Sequence, residues 1–272
     1  MTNVTVRPTD APRSMPPLEA LAEVKLDLDR MPVFLAGSAV AAAAHDLPTY
    51  GDIDAFVPSQ QVLIATIQQL LNAGYTMDDR FTRVWHRWLR YGMKNWHTNS
   101  MKLRSRSDLE VNIVYKLNDG HPTTSLAQVL ESFDFGLLGV GIDVEADTLR
   151  DLRPYLFPGM DHTGPLPLMP AKRDTWRTGF ISQYNGLREA ARYGKYHEYG
   201  YDMSTVKDDL VTGYRLASAY HAQQFDTDKQ LLGEIYAAIA DRIEDDEIDE
   251  LITSYQQIDF NDELDRIMEA LA

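Results

Sequence analysis

Two aspartates carry the first chemical signal in this chain. In "YGDIDAFV", residues 50–57, Asp52 and Asp54 stand two apart between apolar neighbours. Residues at that spacing on a strand share a face, so the two carboxylates stand side by side while Ile53 and Ala55 turn toward a core. Paired carboxylates repel, and at neutral pH something must compensate them. Oxygen donors of this kind favour a hard divalent cation, Mg²⁺ or Mn²⁺. Just upstream, "FLAGSAV" takes an apolar run through Gly37-Ser38 into an alanine-rich stretch. Glycine lets backbone approach a ligand closely, and N–H groups at a helix start attract phosphate. The combination reads as a phosphate gripped at one end and metal-bound at the other. The bland alternative is a helix cap beside two surface aspartates on an edge strand, and the depletion of Asp from strand interiors weighs against it.

These residues need elements to hold them. The pattern predicts a helix from Pro17 to about Asp29, a short buried strand in "PVFLAG", and a helix in "SAVAAAAHD" with Ser38 as its N-cap. "DIDAFV" reads as a second strand, and "SQQVLIATIQQLLNAGY" as a helix capped by Ser59 and stopped by Gly74. Then β-branched and aromatic residues predict strands in "FTRVWHRWLRYG", "TNSMKLRS" and "LEVNIVYKL". "TSLAQVLESF" reads as a helix and "FDFGLLGVGIDV" as a further strand. The expected class is α+β, with a mixed sheet in a domain spanning 18–153 after a disordered leader over 1–17. Residues 154–170 hold five prolines and two glycines, which predicts an irregular linker. Beyond it, stripes such as Leu231, Leu232, Ile235, Ile239 and Ile243 predict a helical domain over 171–272.

Composition narrows the class of protein. With 44% apolar and 25% charged residues and no apolar run of membrane-spanning length, the chain is expected to be globular and not membrane-embedded. Cysteine is absent, which excludes disulfides, thiol catalysis and Cys-ligated zinc and fits a cytoplasmic location. The seven histidines lack metal-ligand spacing. The net charge of −15 misleads, because charge is segregated. Residues 80–107 carry eight Lys or Arg and no acid, whereas 226–272 carry fifteen acids and three bases. In the first block Arg87 and Arg90 lie among Trp85, Trp88, Tyr91 and Trp96, and Lys102 and Arg104 share one strand face. Interleaved arginines and aromatics suit phosphates and stacked bases. In the second such block, Arg188, Arg192 and Lys195 fall among Tyr184, Tyr193 and Tyr196. Either block serves equally as a solvated face over an aromatic core.

"LAGSAVAAAAHDLPTYGDIDAFV" resembles the signature of the DNA polymerase β-like nucleotidyltransferases: a Gly-Ser turn, a spacer, and Asp-x-Asp between apolar positions. The resemblance covers about residues 30–145. "RYGKYHEYGYD" and "SFDFGLLGVGID", the latter holding Asp134, are similar to elements of bacteriophage-encoded nucleotidyltransferase-like proteins. The first resemblance implies a third acid on a later strand, for which "DLEVNIVYK" offers Glu110, with Asn112 competing for the same place. It further implies that Asp52, Asp54 and Glu110 hold two Mg²⁺ or Mn²⁺ ions, and that Gly37, Ser38, Lys102 and Arg104 contact the nucleoside triphosphate. Arg87, Arg90, Arg188, Arg192 and Lys195 are the candidate acceptor contacts. The activity implied is transfer of a nucleoside monophosphate to an acceptor hydroxyl with release of pyrophosphate. The acceptor is open between RNA, including a tRNA end, a protein and a small molecule. Two readings from other classes stand beside it: a nucleotide-binding protein without turnover, and an interaction module whose acidic helices recognise a basic partner.

Overall fold

The structure, a computed structural model, describes residues 15–78, 81–86, 98–118, 121–178, 183–225 and 227–245. The chain forms two compact units that divide between Thr163 and Gly164.

The first unit begins with helix α1 (Pro17–Asp27), which starts on a proline and buries Ala20, Leu21 and Val24. Proline is tolerated there because the first N–H of a helix has no partner to lose. Strand β1 (Phe34–Ala36) leads through Gly37 into α2 (Ser38–Ala44), and β2 (Ile53–Phe56) follows. Helix α3 (Gln60–Asn72) is capped by Ser59, whose hydroxyl accepts the Val62 N–H at 3.2 Å. Strands β3 (Thr98–Arg104), β4 (Glu110–Asn118) and β5 (His121–Pro122) come next. Helix α4 (Leu126–Glu131) opens with a reciprocal Ser125–Gln128 capping box. A 3₁₀ turn at Gly136–Leu138, strands β6 (Val140–Asp143) and β7 (Thr148–Asp151) and the short α5 (Arg153–Leu156) complete the unit.

Among the described residues the sheet has seven strands in the order β3-β4-β2-β1-β6-β7, with β5 paired to β4. The β2–β4 pair is parallel and the other pairs are antiparallel, so the sheet is mixed and the class is α+β. Alternation splits the strand residues between two faces. Leu35, Ile53, Ala55, Met101, Leu103, Val111 and Ile113 pack with the buried sides of α1, α2 and α3. Phe34, Ala36, Phe56 and Val114 pack with Leu126, Val129 and Leu130 of α4.

Several elements differ from their sequence-based expectation. Residues 81–86 are helical, although "FTRVWHRWLRYG" reads as a strand. The Asp78 carboxylate accepts the Phe81 N–H at 2.9 Å and starts this turn. Trp85 is then buried while Phe81 and Val84 pack against the same core, an i, i+3, i+4 spacing that fits a helix and not a period of two; the β-branched and aromatic composition is what suggested a strand. Residues 87–97, with Arg87 and Arg90, lie outside the described residues. "FDFGLLGVGIDV" forms a strand only over Val140–Asp143, because Leu138 and Gly139 N–H groups bond back to Phe135 and Gly136 at 3.1 and 3.0 Å. Strand β7 was not legible in the sequence, because "TLRD" is a mostly exposed edge with no apolar alternation. The Pro-rich range 154–170 is regular at both ends: Pro154 sits in the first turn of α5, and Pro170 begins the next helix.

The regular elements described in the second unit are helices α6 (Pro170–Arg177), α7 (Gln183–Glu198), α8 (Ser204–Ala222) and α9 (Thr227–Glu244). Its core is aromatic. Trp176 meets Tyr214 edge to face at 4.8 Å between ring centroids, and Tyr193, Tyr214 and Tyr236 are fully buried. No helix among the described residues is long and apolar enough to cross a membrane.

Candidate functional site

One sheet face changes character along its length. Phe56 pairs with Val114 in register, and both lie in the apolar cluster that includes α4. Two residues back on each strand, the facing pair is Asp54 and Asn112. On the neighbouring strand β3, Lys102 opposes Asn112 and Arg104 opposes Glu110. The same alternation that buries Ile53, Ala55, Val111 and Ile113 therefore gathers Asp54, Asn112, Lys102, Arg104 and Glu110 on the opposite face.

The contacts are specific. The Asn112 amide donates to Asp54 Oδ1 at 2.8 Å. That orients the amide, since the reverse orientation would set its oxygen against a carboxylate. Asn112 Oδ1 is left buried and without a hydrogen-bond partner. The Lys102 ammonium bridges Asp52 Oδ2 at 3.0 Å and Glu110 Oε1 at 2.6 Å. Burial pulls the Lys102 pKa down, but the two carboxylates outweigh it and hold it well above the ordinary lysine value. Arg104 donates to Asp108 at 2.6 Å and reaches Glu110 Oε2 at 3.5 Å.

Gly37 and Ser38 bring α2 to the same place. Gly37 has φ +86° and ψ −155°, a conformation only glycine adopts readily. A Cβ there would lie 2.6 Å from Asp54 Oδ2, so the turn lies directly against that carboxylate. Ser38 is the first residue of α2, not its N-cap; Gly37 takes the cap position. The Ser38 hydroxyl instead accepts the Gly51 N–H at 3.1 Å and lies 3.5 Å from the Asp52 carbonyl oxygen. It thereby ties the start of α2 to the loop that delivers Asp52.

Of the residues expected from the sequence, Gly37, Ser38, Asp52, Asp54, Lys102, Arg104 and Glu110 come together in this way. Arg188, Arg192 and Lys195 lie on α7 in the second unit. There Arg188 pairs at 3.0 Å with the fully buried Glu189, and Lys195 lies over the Tyr199 ring at 5.4 Å. Their interactions within the unit suit packing of an aromatic helix.

A second polar cluster carries no sequence signature. Buried Arg153 donates Nε and Nη2 to the two Asp151 oxygens at 2.9 and 2.8 Å, and Nη1 contacts His45 Nε2 at 2.9 Å. Guanidinium can only donate, so His45 Nε2 accepts and the ring is neutral. Burial first, and the Arg153 charge second, push the His45 pKa below 6.5. The unfolded chain then binds more protons than the folded one below that value. Stability from this contact is expected in full above pH 6.5 and to be lost as pH falls toward the folded pKa. Urea midpoints measured from pH 7.5 to 5.5 should fall more steeply for the wild type than for His45→Gln. Equal slopes would remove His45 as the cause. The Asp151 carboxylate, held below its ordinary 3.8 by Arg153 against the cost of burial, adds a separate loss only in stronger acid.

The donors beside Gly37 can be weighed for a hard cation. Two carboxylates, Asp52 and Asp54, are the chemistry such an ion takes, and the Asn112 amide, donating to Asp54 Oδ1, orients one of them. Among the described residues no group of three or more His, Cys, Asp and Glu is arranged to hold a metal. Glu110 is engaged by Lys102 and Arg104. The donor set fits one divalent cation at Asp52 and Asp54 better than a pair of ions shared with Glu110. A comparison of the chain with models of known protein families finds no match, and neither does a comparison with curated proteins.

Proposed function

We propose that the chain is a metal-dependent nucleotidyltransferase that moves a nucleoside monophosphate from a triphosphate to an acceptor hydroxyl. The acceptor hydroxyl gives its proton to water, its oxygen forms a bond to the α-phosphorus as the bond to the β-phosphate oxygen breaks, and pyrophosphate leaves. The observation that carries this reading is Asp54 on the polar end of one sheet face, directly against the Gly37 turn, with Asp52 in the preceding loop tied to the same face through Lys102. A Mg²⁺ or Mn²⁺ bound there would neutralise triphosphate charge and make the acceptor hydroxyl more acidic. Asp52 and Asp54 would hold it, with the Asn112 amide orienting the Asp54 carboxylate. Gly37, lacking a side chain, lets the Asp54 carboxylate close against the turn, and Ser38 would keep the Asp52 loop in register with that turn. Lys102 and Arg104 would face the triphosphate as fixed positive charges. Such catalysis is positioning and charge neutralisation, so no dedicated nucleophile is required.

RNA is the acceptor class that the interleaved basic and aromatic residues favour. The deciding experiment incubates the full chain with α-labelled nucleoside triphosphates, Mg²⁺ and total RNA. Transfer of label to RNA is expected. Label in protein or in a small molecule would change the acceptor, and label in nothing would sink the transferase reading. A second reading, a nucleotide-binding protein without turnover, has its own observation: an amide at Asn112, and not an acid, stands opposite Asp54. Metal-dependent triphosphate binding without transfer would select it.

A further inference from the structure

The Lys102 ammonium occupies the space between Asp52 and Glu110, touching one oxygen of each at 3.0 and 2.6 Å. Those are the oxygens that a cation bridging the two carboxylates would need. Resting on the metal-dependent reading above, we propose that Lys102 is the built-in second cation of this site, so that the site takes one divalent ion, at Asp52 and Asp54, and not two.

Three observations carry this. The first is position: a metal ion binds carboxylate oxygen at about 2.0–2.6 Å, so an ion bridging Asp52 and Glu110 would overlap Nζ and must expel it. The second is tethering. Glu110 also lies 3.5 Å from Arg104, which is itself anchored on Asp108 at 2.6 Å. Glu110 is thus a group that holds Lys102, and a divalent ion would have to break a network of charged contacts to reach it. The side chains of Asp52 and Glu110 are 17% and 22% exposed, so water screens the Lys102 contacts less than those of the exposed Arg104–Asp108 pair. The third is charge. Asp52, Asp54 and Glu110 bring three negative charges and Lys102 one positive, while Arg104 and Asp108 cancel. One divalent ion with Lys102 in place neutralises that sum; a second ion, expelling Lys102, would leave an excess of one positive charge, with the displaced ammonium still tethered nearby. The Asn112 amide fits the same arrangement, since a neutral side chain opposite Asp54 orients that carboxylate without adding charge.

Lys102 is therefore a positioning residue for the cation, and the count of bound ions reads it directly. Mn²⁺ is titrated into the full chain without nucleotide, and free and bound ion are separated by their paramagnetic resonance signals. The expected result is one Mn²⁺ per wild-type chain, two per Lys102→Met chain, and one per Lys102→Arg chain, with circular dichroism confirming the fold of each. Two ions on the wild type would overturn the inference while leaving the metal-dependent reading in place. So would a single ion on folded Lys102→Met. Should Lys102→Met fail to fold, Lys102→Gln makes the same test with a polar side chain. Binding of no Mn²⁺ to any variant would overturn both the inference and the cation site of the proposed function.

Discussion

Asp54→Asn is expected to reduce label transfer from a nucleoside triphosphate at least about 100-fold, while leaving the protein as stable as before or more so. Metal-held charge stabilisation is worth several kcal/mol, and each 1.4 kcal/mol is about a factor of ten in rate. The substitution keeps the size of the side chain and a hydrogen bond to Asn112, which lies 2.8 Å away. It removes one of two adjacent carboxylates, so the repulsion between them disappears. A residue retained for folding would show the opposite pattern, a lower melting temperature with activity falling in proportion to the folded fraction. The check is a labelling assay beside a thermal melt. Transfer within about threefold of wild type would exclude Asp54 as a cation ligand.

Gly37→Ala is expected to be the most damaging small substitution in the first unit. The backbone there has φ +86° and ψ −155°, outside the regions open to alanine, and the new methyl carbon would lie 2.6 Å from Asp54 Oδ2. Strain of this kind costs about 1–3 kcal/mol, and relieving the clash requires β1, α2 or the Asp54 carboxylate to move. A total of about 2–4 kcal/mol corresponds to a melting temperature lower by roughly 5–15 °C. Cation binding should be lost even where the variant is folded, because the displaced group is Asp54. Tryptophan fluorescence is a suitable probe, since Trp85, Trp88 and Trp96 all precede the second unit and only Trp176 belongs to it. A variant that melts within a degree of wild type would mean that Gly37 does not hold this conformation.

The parts of the fold that were legible in the sequence are those with a local cause. Ser59 and Ser125 announce helices because a hydroxyl can reach an N–H three residues on, and both do so. Gly74 ends α3 with φ +93°, which favours glycine. Strands β2 and β4 were legible because burial on one face and charge on the other leave a period of two in "DIDAF" and "EVNIVY". The misread elements have no such local mark. "FTRVWH" has the β-branched and aromatic composition of a strand, but a core that accepts Phe81, Val84 and Trp85 together requires the helical period. "TLRD" becomes a strand only because β6 offers an edge to pair with, and nothing in its own composition asks for one.

Two carboxylates two residues apart after a glycine turn were legible from the chain alone, because they follow from geometry over a few residues, while the structure puts Asp54 on β2 and Asp52 in the loop before it. The sequence also determined which residues on β4 compete to meet them, since Glu110 and Asn112 lie on one face by alternation. Which of the two meets Asp54 depends on the register between β2 and β4, and register is set by packing across the sheet, not by either strand alone. Ile53 against Val111 and Ala55 against Ile113 lock that register, and it brings Asn112 to Asp54. The register of β3 against β4 in turn brings Lys102 and Arg104 alongside Glu110, and so decides that Glu110 faces two cationic side chains. The pairing of His45 with Arg153 has the same origin: residues far apart in the chain meet because α2 and α5 belong to one folded unit, and no local pattern in either segment encodes the other.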